Sequence, residues 1–316
     1  MKDRLEFFPV TSYAVVMGLT GLTIVTGKYY HLQWMPKLIA HGMLFFSLAV
    51  FLLISVMYGL KALWFFDRVA EDFHHRIRVN FFSAISISFL LQSIAFLAYW
   101  PILSLVFWWV GTIVHTILML YTIGFWIRHN FEIQFMNPAW FIPVVGNILV
   151  PIAGVEFMPA TFSFFYFAVG IFFWLVLFTI FLNRAIFHHQ LPEKFIPTLF
   201  ILLAPPAIGF IAYIRITQSW DFFAALLLHL TIFFVALLVV LFRSFFGIKF
   251  FISWWAFTFP MMAVTIAMAV AYQVTAQDAY KYGSWVMFSC AVLMVLFVSY
   301  HTVLKIRAHE ICVNED

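Results

Sequence analysis

Charged side chains are scarce in this sequence. Asp, Glu, Lys and Arg together make up 9% of its 316 residues, whereas hydrophobic residues make up 65%. The mean hydropathy is +1.03. Soluble domains of ordinary composition carry about 25% charged residues. The composition therefore excludes an ordinary soluble protein and indicates a chain that crosses the membrane several times.

Other features are missing as well. The chain has two cysteines, Cys290 in an apolar stretch and Cys312 near its end, so we predict no structural disulfide. The Lys and Arg residues are dispersed and form no basic tract, so a net charge of +4 predicts no nucleic-acid partner. The sequence shows no catalytic Ser/His/Asp or Cys/His arrangement, no phosphate-binding loop and no paired carboxylates. We therefore predict that the protein is not an enzyme and needs no cofactor or metal.

Long apolar runs, separated by short polar breaks, fill the sequence. Roughly 20 helical residues span the bilayer hydrocarbon. The short charged N-terminus runs directly into the first apolar run, which predicts an uncleaved first span. We predict an all-α integral membrane protein with one transmembrane domain over residues 1–316. Its ten helices lie at about 8–27, 36–60, 79–100, 102–127, 138–156, 160–183, 196–215, 220–242, 250–273 and 281–305.

The breaks and the positive charges predict the topology. Tight links such as Trp100-Pro101 and Met158-Pro159 make consecutive helices antiparallel, so the chain should form five helical hairpins. If the N-terminus is cytoplasmic, only four of the 17 Lys and Arg residues face outward, namely Lys28, Lys37, Arg215 and Lys281. This distribution obeys the positive-inside rule. We therefore predict that both termini are cytoplasmic.

Prolines and small residues concentrate in the odd-numbered helices. Eight of the 12 prolines lie within these helices, and each odd helix carries a stripe of small or polar residues at helical spacing. The pattern predicts an inner ring of five odd helices around a pore, with the even helices outside against lipid. The stripes supply the candidate pore-lining residues Ala14, Gly18, Ser86, Ser93, Asn147, Val150, Pro205, Gly209, Ala256 and Ala263. The alternative is that small residues only let the helix backbones pack closely.

The stretch Ser253–Pro260 combines both features in the ninth helix. Pro260 has no N–H, so the carbonyl of Ala256 loses its helical partner. Ala256, Ala263 and Ala267 form a small-residue face that is interrupted by one ring, Phe259. Such a face suits a passage with an aromatic gate, and it equally suits a close helix contact with one filler.

Three motifs resemble a known family. They are Trp140-Phe-Ile-Pro143-Val-Val-Gly146-Asn147, Leu203-Ala-Pro-Pro206-Ala-Ile-Gly209-Phe-Ile-Ala-Tyr213 and Trp254-Trp-Ala-Phe-Thr-Phe-Pro260. The chain resembles the tellurite-resistance/dicarboxylate transporter family, which includes the bacterial TehA proteins and the plant slow-type guard-cell anion channels. The resemblance implies a homotrimer in the bacterial inner membrane, with a pore in each protomer and a phenylalanine, here Phe259, that gates it. It also carries the family's association with tellurite resistance.

The predicted function follows from this resemblance and from the lack of charge in the odd helices. A pore without a buried cation should conduct small inorganic or carboxylate anions passively and rank them by dehydration cost and size. Asn147 is the best single hydrogen-bond donor to an anion, although its amide could instead link two helices. The alternative function is a secondary carrier of C4-dicarboxylates or related oxyanions, with proton coupling as an option. Apart from anions, the partners that we predict are membrane lipid and the other protomers.

Three histidines leave a further alternative open. His41, His115 and His229 lie within even helices two, four and eight. If they were buried together, they could ligate haem and make the protein a membrane oxidoreductase. Their spacing matches no haem pattern, and the helices that carry them are predicted to lie outside, so we prefer the anion pore.

Overall fold

The computed structural model describes residues 2–312, and the secondary structure in that part of the chain is helical, without a β-strand. The ten long segments are α1 (Val10–His31), α2 (Lys37–Trp64), α3 (Arg78–Phe96), α4 (Pro101–Arg128), α5 (Pro138–Gly154), α6 (Ala160–Phe187), α7 (Glu193–Thr217), α8 (Phe222–Val240), α9 (Ile252–Thr275) and α10 (Asp278–Arg307). Within the described residues, nine of them are long and apolar enough to cross a membrane, and α5 is shorter. The all-helical membrane fold predicted from the sequence is confirmed.

Some helix ends differ from the sequence-based prediction. The third helix, predicted over 79–100, ends at Phe96, and the sixth, predicted over 160–183, continues to Phe187. Polar and charged residues extend several spans beyond their apolar runs, since α6 includes Arg184 and α10 runs from Asp278 to Arg307. Hydropathy detects the apolar part of a span, whereas its backbone hydrogen bonds continue into the polar interface.

Odd and even spans differ sharply in burial. In α1, α3, α7 and α9 the most apolar stretch is 61%, 78%, 72% and 78% buried, whereas in α2, α4, α6, α8 and α10 it is between 17% and 33% buried. In α5 every residue except Ile142 is buried. Exposed leucine, isoleucine, valine and phenylalanine side chains cover the even spans. Such a surface suits contact with lipid. Lipid tails are as apolar as these side chains, so no hydrophobic effect drives the side chains into the protein interior.

Contacts between spans follow a simple order. Each odd span packs against the even span that follows it, and α1 packs against both α3 and α9. α5 packs against α3 and α7, and α7 packs against α5 and α9. The close crossings use glycine, because a β-carbon added to Gly18 on α1 would lie 2.1 Å from Thr258 Oγ1 on α9. The odd spans therefore contact one another in chain order, and the last of them, α9, also contacts the first, α1.

Each odd span begins with, or is interrupted by, a stretch of 3₁₀ helix, whereas the even spans are continuous α-helices. These stretches are Val10–Ser12, Arg78–Phe82, Pro138–Phe141, Gly146–Leu149, Glu193–Leu203 and Ile252–Phe257. Proline favours such breaks because it removes one backbone donor, but α3 contains a 3₁₀ turn without any proline. Several backbone carbonyls near the breaks accept hydrogen bonds from side chains. Trp108 Nε1 donates to Val150 O at 2.9 Å, and Thr258 Oγ1 donates to Trp255 O at 2.7 Å.

Candidate functional site

An apolar cavity of about 80 Å³ lies between the five odd spans. It is near the N-terminal ends of α1, α3 and α9 and along the middle of α5 and α7. We call it the apolar cavity. Its lining consists of Thr11, Ala14, Met17, Phe81, Ala84, Ile87, Phe141, Ile142, Val145, Gly146, Leu149, Ile201, Ala204, Pro205, Ile208, Trp255, Ala256, Phe259 and Pro260. Every odd span contributes at least three of these residues, and no even span contributes any.

No side chain that lines the apolar cavity carries a charge. Thr11 supplies its one hydroxyl group. The indole N–H of Trp255 donates to Thr302 Oγ1 on α10 at 3.0 Å, so it is engaged with a neighbouring span. An anion in this cavity would meet mainly alkyl groups and aromatic rings. The cavity can therefore hold a partly dehydrated anion only weakly.

The structure brings four of the eleven residues predicted for the site to this cavity. Ala14, Pro205, Ala256 and Phe259 belong to its lining. The ring of Phe259 is 8% exposed and lies at the α1–α9 crossing, where a β-carbon built on Gly21 would be 3.3 Å from its Cδ2 atom. The side chain thus stands at the edge of the cavity with α1 packed against it.

The other seven predicted residues lie in contacts between or within spans. Gly18 meets Thr258, and Gly209 faces Ile171 on α6 and Leu227 on α8. Ser93 Oγ lies 3.1 Å from Ser104 Oγ on α4. Val150 is buried and its carbonyl accepts from Trp108, while Ala263 lies within the hydrophobic core. Ser86 and Asn147 form hydrogen bonds that are described below. A pore role for these seven residues stays a prediction.

Asn147 was predicted as a hydrogen-bond donor to an anion. In the structure its Nδ2 atom donates to Val144 O at 2.7 Å and to Met119 Sδ on α4 at 3.0 Å. Both amide hydrogens therefore have acceptors within the protein. The arrangement matches the alternative that Asn147 links two helices.

A second, larger cavity of about 310 Å³ opens next to the apolar cavity, on the side of the N-terminus. We call it the charged cavity. Thr11 and Phe81 line both cavities and so mark where they meet. The charged side chains in its lining are Glu6, Lys61, Arg68, Glu71, Asp72, Arg78, Lys194, Lys305 and Glu310. This cavity was not predicted from the sequence, because the positions of the basic residues were used only to predict the topology.

Asp72 organises the charged cavity. Its carboxylate accepts from Lys61 Nζ at 2.9 Å and from Arg78 Nη1 at 2.9 Å. Lys61 is 3% exposed and also donates to the carbonyl of Phe8 at 3.0 Å, just before α1 begins. These bonds tie the helix Phe66–His74 to α2, to α3 and to the chain that leads into α1.

Two other groups in the charged cavity have shifted proton affinities. Hydrogen bonds to Glu6 and Glu71 raise the pKa of the Arg68 guanidinium. Burial raises the pKa of the Cys312 thiol, and the positive charges of Arg4 and Lys61 oppose this effect. The thiol is therefore neutral at physiological pH and adds no charge to the cavity.

The opposite ends of the odd spans carry fewer charges. Arg215 Nη2 pairs with Glu156 at 2.8 Å, and its Nε donates to Ile152 O at 3.0 Å. Lys28 Nζ donates to Gln273 Oε1, which links the ends of α1 and α9. These contacts join α5 to α7 and α1 to α9 at the face opposite the charged cavity.

The three histidines of the haem alternative have unlike environments. His115 is fully buried and bonds Ser86, His41 packs against the ring of Tyr99, and His229 is exposed on α8. His229 Nδ1 lies 2.6 Å from the carbonyl of Ala225 in its own helix. Among residues 2–312, no group of three or more His, Cys, Asp or Glu side chains is placed to hold a metal ion.

Comparison with known proteins identifies the family. The family model described as voltage-dependent anion channel matches residues 7–303, which include all the spans except the last residues of α10. The chain belongs to this family. Its relatives include the S-type anion channel SLAH2 of Arabidopsis thaliana, which is 31% identical over 94% of this chain and 59% of its own length.

Two relatives come from microorganisms. The uncharacterized transporter MJ0576 of Methanocaldococcus jannaschii is 26% identical over 86% of this chain and 86% of its own length. The tellurite resistance protein TehA homolog of Haemophilus influenzae is 21% identical over 67% of this chain and 65% of its own length. The resemblance that the sequence motifs indicated is therefore confirmed.

The plant relatives are longer than the region they share with this chain. The chain spans 59% of SLAH2 and 42% of SLAH3, which is also an S-type anion channel of Arabidopsis thaliana. Membership of the voltage-dependent anion channel family, together with the apolar spans, supports a multi-pass membrane protein.

Proposed function

We propose that this protein is a passive anion channel, in which each protomer has a pore along the five odd spans. One observation carries the proposal. All five odd spans line one uncharged cavity, and no even span does. The sequence of contacts from α1 through α3, α5, α7 and α9 back to α1 supports a closed inner ring around the passage.

The two cavities suggest a path for the anion. At Thr11 and Phe81 the charged cavity meets the apolar cavity, whose lining also includes Phe259. Basic residues at the mouth raise the local anion concentration, and the uncharged segment beyond them lets the ion leave again because it binds weakly. Within this path we propose that Phe259 is the gate, since its ring lies against α1 at the edge of the cavity.

The proposal also includes orientation and assembly. We propose a homotrimer in a bacterial inner membrane with both termini in the cytoplasm, so that the charged cavity faces the cytoplasm. The unequal distribution of the 17 Lys and Arg residues supports this orientation. The family resemblance supports the trimer, and native mass spectrometry of the detergent-solubilised protein should give three times the mass of one chain. A monomeric mass in mild detergent would contradict it.

A flux assay in proteoliposomes tests the function. With a membrane potential set by potassium and valinomycin, we expect chloride or nitrate to cross without saturating and without a proton gradient. A secondary carrier would instead show saturable malate uptake that requires a proton gradient. Liposomes that hold the same amount of protein, inserted in both orientations, should show one of these two fluxes. If they show neither the anion flux nor the malate uptake, both functions are contradicted.

A further inference from the structure

His115 is a buried histidine on α4 that the proposed pore does not use. Its side chain is fully buried, and its Nδ1 atom lies 2.8 Å from Ser86 Oγ on α3. Ser86 Oγ also lies 2.8 Å from the carbonyl of Ser83, which can only accept, so the single hydroxyl proton of Ser86 goes to that carbonyl. Ser86 must therefore accept from His115, and the neutral imidazole carries its proton on Nδ1.

This tautomer leaves Nε2 of His115 as a bare acceptor. No donor reaches that atom in the part of the chain that the structure describes. A buried acceptor without a partner is costly, and native proteins rarely keep one without a reason. Nε2 is also the atom that takes up the second proton when the imidazole becomes cationic.

The orphan nitrogen faces the wall of the apolar cavity. A β-carbon built on Gly146 would lie 2.8 Å from His115 Nε2 and 2.5 Å from Cε1, and Gly146 itself lines the cavity. Ile87 lies against the same point, because its Cδ1 atom would be 2.8 Å from that β-carbon. The backbone of one glycine therefore separates the imidazole from the space where we propose that anions pass. A side chain at position 146 would overlap the imidazole and Ile87.

Other charges near the imidazole are few. Span α4 carries Tyr121 and Arg128 besides His115, and the facing spans α3 and α5 contribute only Arg78. Arg78 lies at the start of α3 and bonds Asp72 at the charged cavity, while Arg128 ends α4. From α6, the hydroxyl of Tyr166 bonds Thr116, the residue after His115. Among the described residues on these spans, no carboxylate stands ready to neutralise a protonated His115.

We propose that His115 is a proton-linked anion-binding group behind the wall of the apolar cavity. Protonation at Nε2 creates a positive charge next to the apolar cavity, whose own lining is uncharged, and an anion in the cavity is its counter-ion. Binding of an anion then favours uptake of one proton by His115, and protonation favours anion entry, because the two equilibria are linked and the coupling is reciprocal. This inference rests on the proposed path of the anion through that cavity.

The competing explanation is structural. In that case the bond between His115 and Ser86 only joins α4 to α3, and the proton state of Nε2 has no connection with anions. The two explanations differ in what an added anion does to protons and in what pH does to flux, so both quantities should be measured.

The first measurement uses the wild-type protein in detergent. Nitrate is added to the protein in weakly buffered solution at about pH 5, and a pH-indicator dye reports the protons taken up. We expect uptake that saturates with nitrate, disappears in His115→Gln and persists in His229→Gln, whose histidine is exposed on α8. Absence of nitrate-dependent uptake by the wild type would overturn the proposal, and so would equal uptake by His115→Gln.

The second measurement is the nitrate flux in proteoliposomes under a fixed membrane potential. We expect wild-type flux to rise by about tenfold between about pH 8 and about pH 5, as a unit charge within a few ångströms of the ion allows. His115→Gln should conduct with little dependence on pH, while His229→Gln should match the wild type. If the wild-type flux does not depend on pH, the proposed channel still stands and the proposed role of His115 is overturned. Absence of flux at every pH contradicts the proposed channel instead, and the dye measurement then decides the role of His115 alone.

Discussion

Gly21 on α1 lies directly against the ring of Phe259 on α9. A β-carbon added to Gly21 would come within 3.3 Å of Phe259 Cδ2 and 3.1 Å of Met262 Cβ. Contacts this short would force the neighbouring side chain to move by a few tenths of an ångström. The position of the ring therefore depends on the absence of a side chain at residue 21.

The first prediction concerns this contact. Gly21→Ala should push the Phe259 ring away from α1. The ring then moves into the apolar cavity, which it lines, and anion flux falls. In a Phe259→Ala background the same methyl group should have a much smaller effect on flux, because only its contact with Met262 remains. A double-mutant cycle of liposome fluxes should give a coupling free energy of about 0.5–3 kcal/mol. Equal effects of Gly21→Ala in both backgrounds would show that the contact does not control the passage.

The second prediction concerns the crossing of α1 and α9. In Gly18→Ala the new methyl group would overlap Thr258 Oγ1, at 2.1 Å, while that hydroxyl donates to Trp255 O. We expect a loss of stability of about 1–3 kcal/mol, seen as a lower melting temperature in detergent. Thr258→Ala should restore part of that loss in the double variant, because it removes the overlapping atom. The matched control is Gly42→Ala on α2, where an added β-carbon meets nothing within 4 Å.

The third prediction concerns the buried ion pair at the charged cavity. Asp72→Asn removes the partner of Lys61, which is 3% exposed, and should cost about 3 kcal/mol or more because an uncompensated charge stays buried. Lys305→Gln breaks a pair in the same cavity whose Lys and Glu side chains are 35% and 55% exposed, and should cost less than about 1 kcal/mol. Thermal melting of both variants compares them directly. Similar losses would contradict the difference in burial on which this prediction depends.

The fourth prediction concerns the opposite face. Glu156→Gln leaves Arg215 without its carboxylate partner, so anions should enter more readily from that side. The gain should be clear at about 0.01 M salt, where the Debye length is about 30 Å, and should shrink at about 0.15 M, where it is about 8 Å. Arg215→Gln should have the opposite effect. A change that does not depend on salt would indicate altered packing rather than electrostatic attraction.

The sequence predicted the helices well because their cause is local. A run of about 20 apolar residues has few stable structures other than a membrane helix. Proline and glycine predicted which spans are buried, since these residues are placed where backbones break or cross. The 3₁₀ stretches were not predicted, and several of them, such as Arg78–Phe82, contain no proline that could have indicated them.

The site was predicted less completely. Small residues were expected to line the passage, but Gly18 and Gly209 lie at helix contacts, while bulky residues such as Ile87, Phe141 and Ile208 line the apolar cavity. A helical stripe shows where spans approach closely, whereas a cavity forms where several spans leave space, and that depends on the whole bundle. The relation of His115 to the cavity was missed for a similar reason. An even span such as α4 still has one face that packs against the odd spans. No local sequence pattern shows that His115 on this face contacts Gly146.

The central claim is that Phe259 closes a passage through the odd spans, and one flux comparison tests it most directly. Phe259→Ala and Phe257→Ala remove the same ring two residues apart, but Phe257 packs against Phe200 and Phe245, and only Phe259 lines the apolar cavity. In proteoliposomes under a fixed potential, we predict that Phe259→Ala conducts nitrate about tenfold faster than the wild type, which corresponds to about 1.4 kcal/mol of barrier. Phe257→Ala should conduct like the wild type. If the two variants are equally well folded and conduct equally, Phe259 is not the gate.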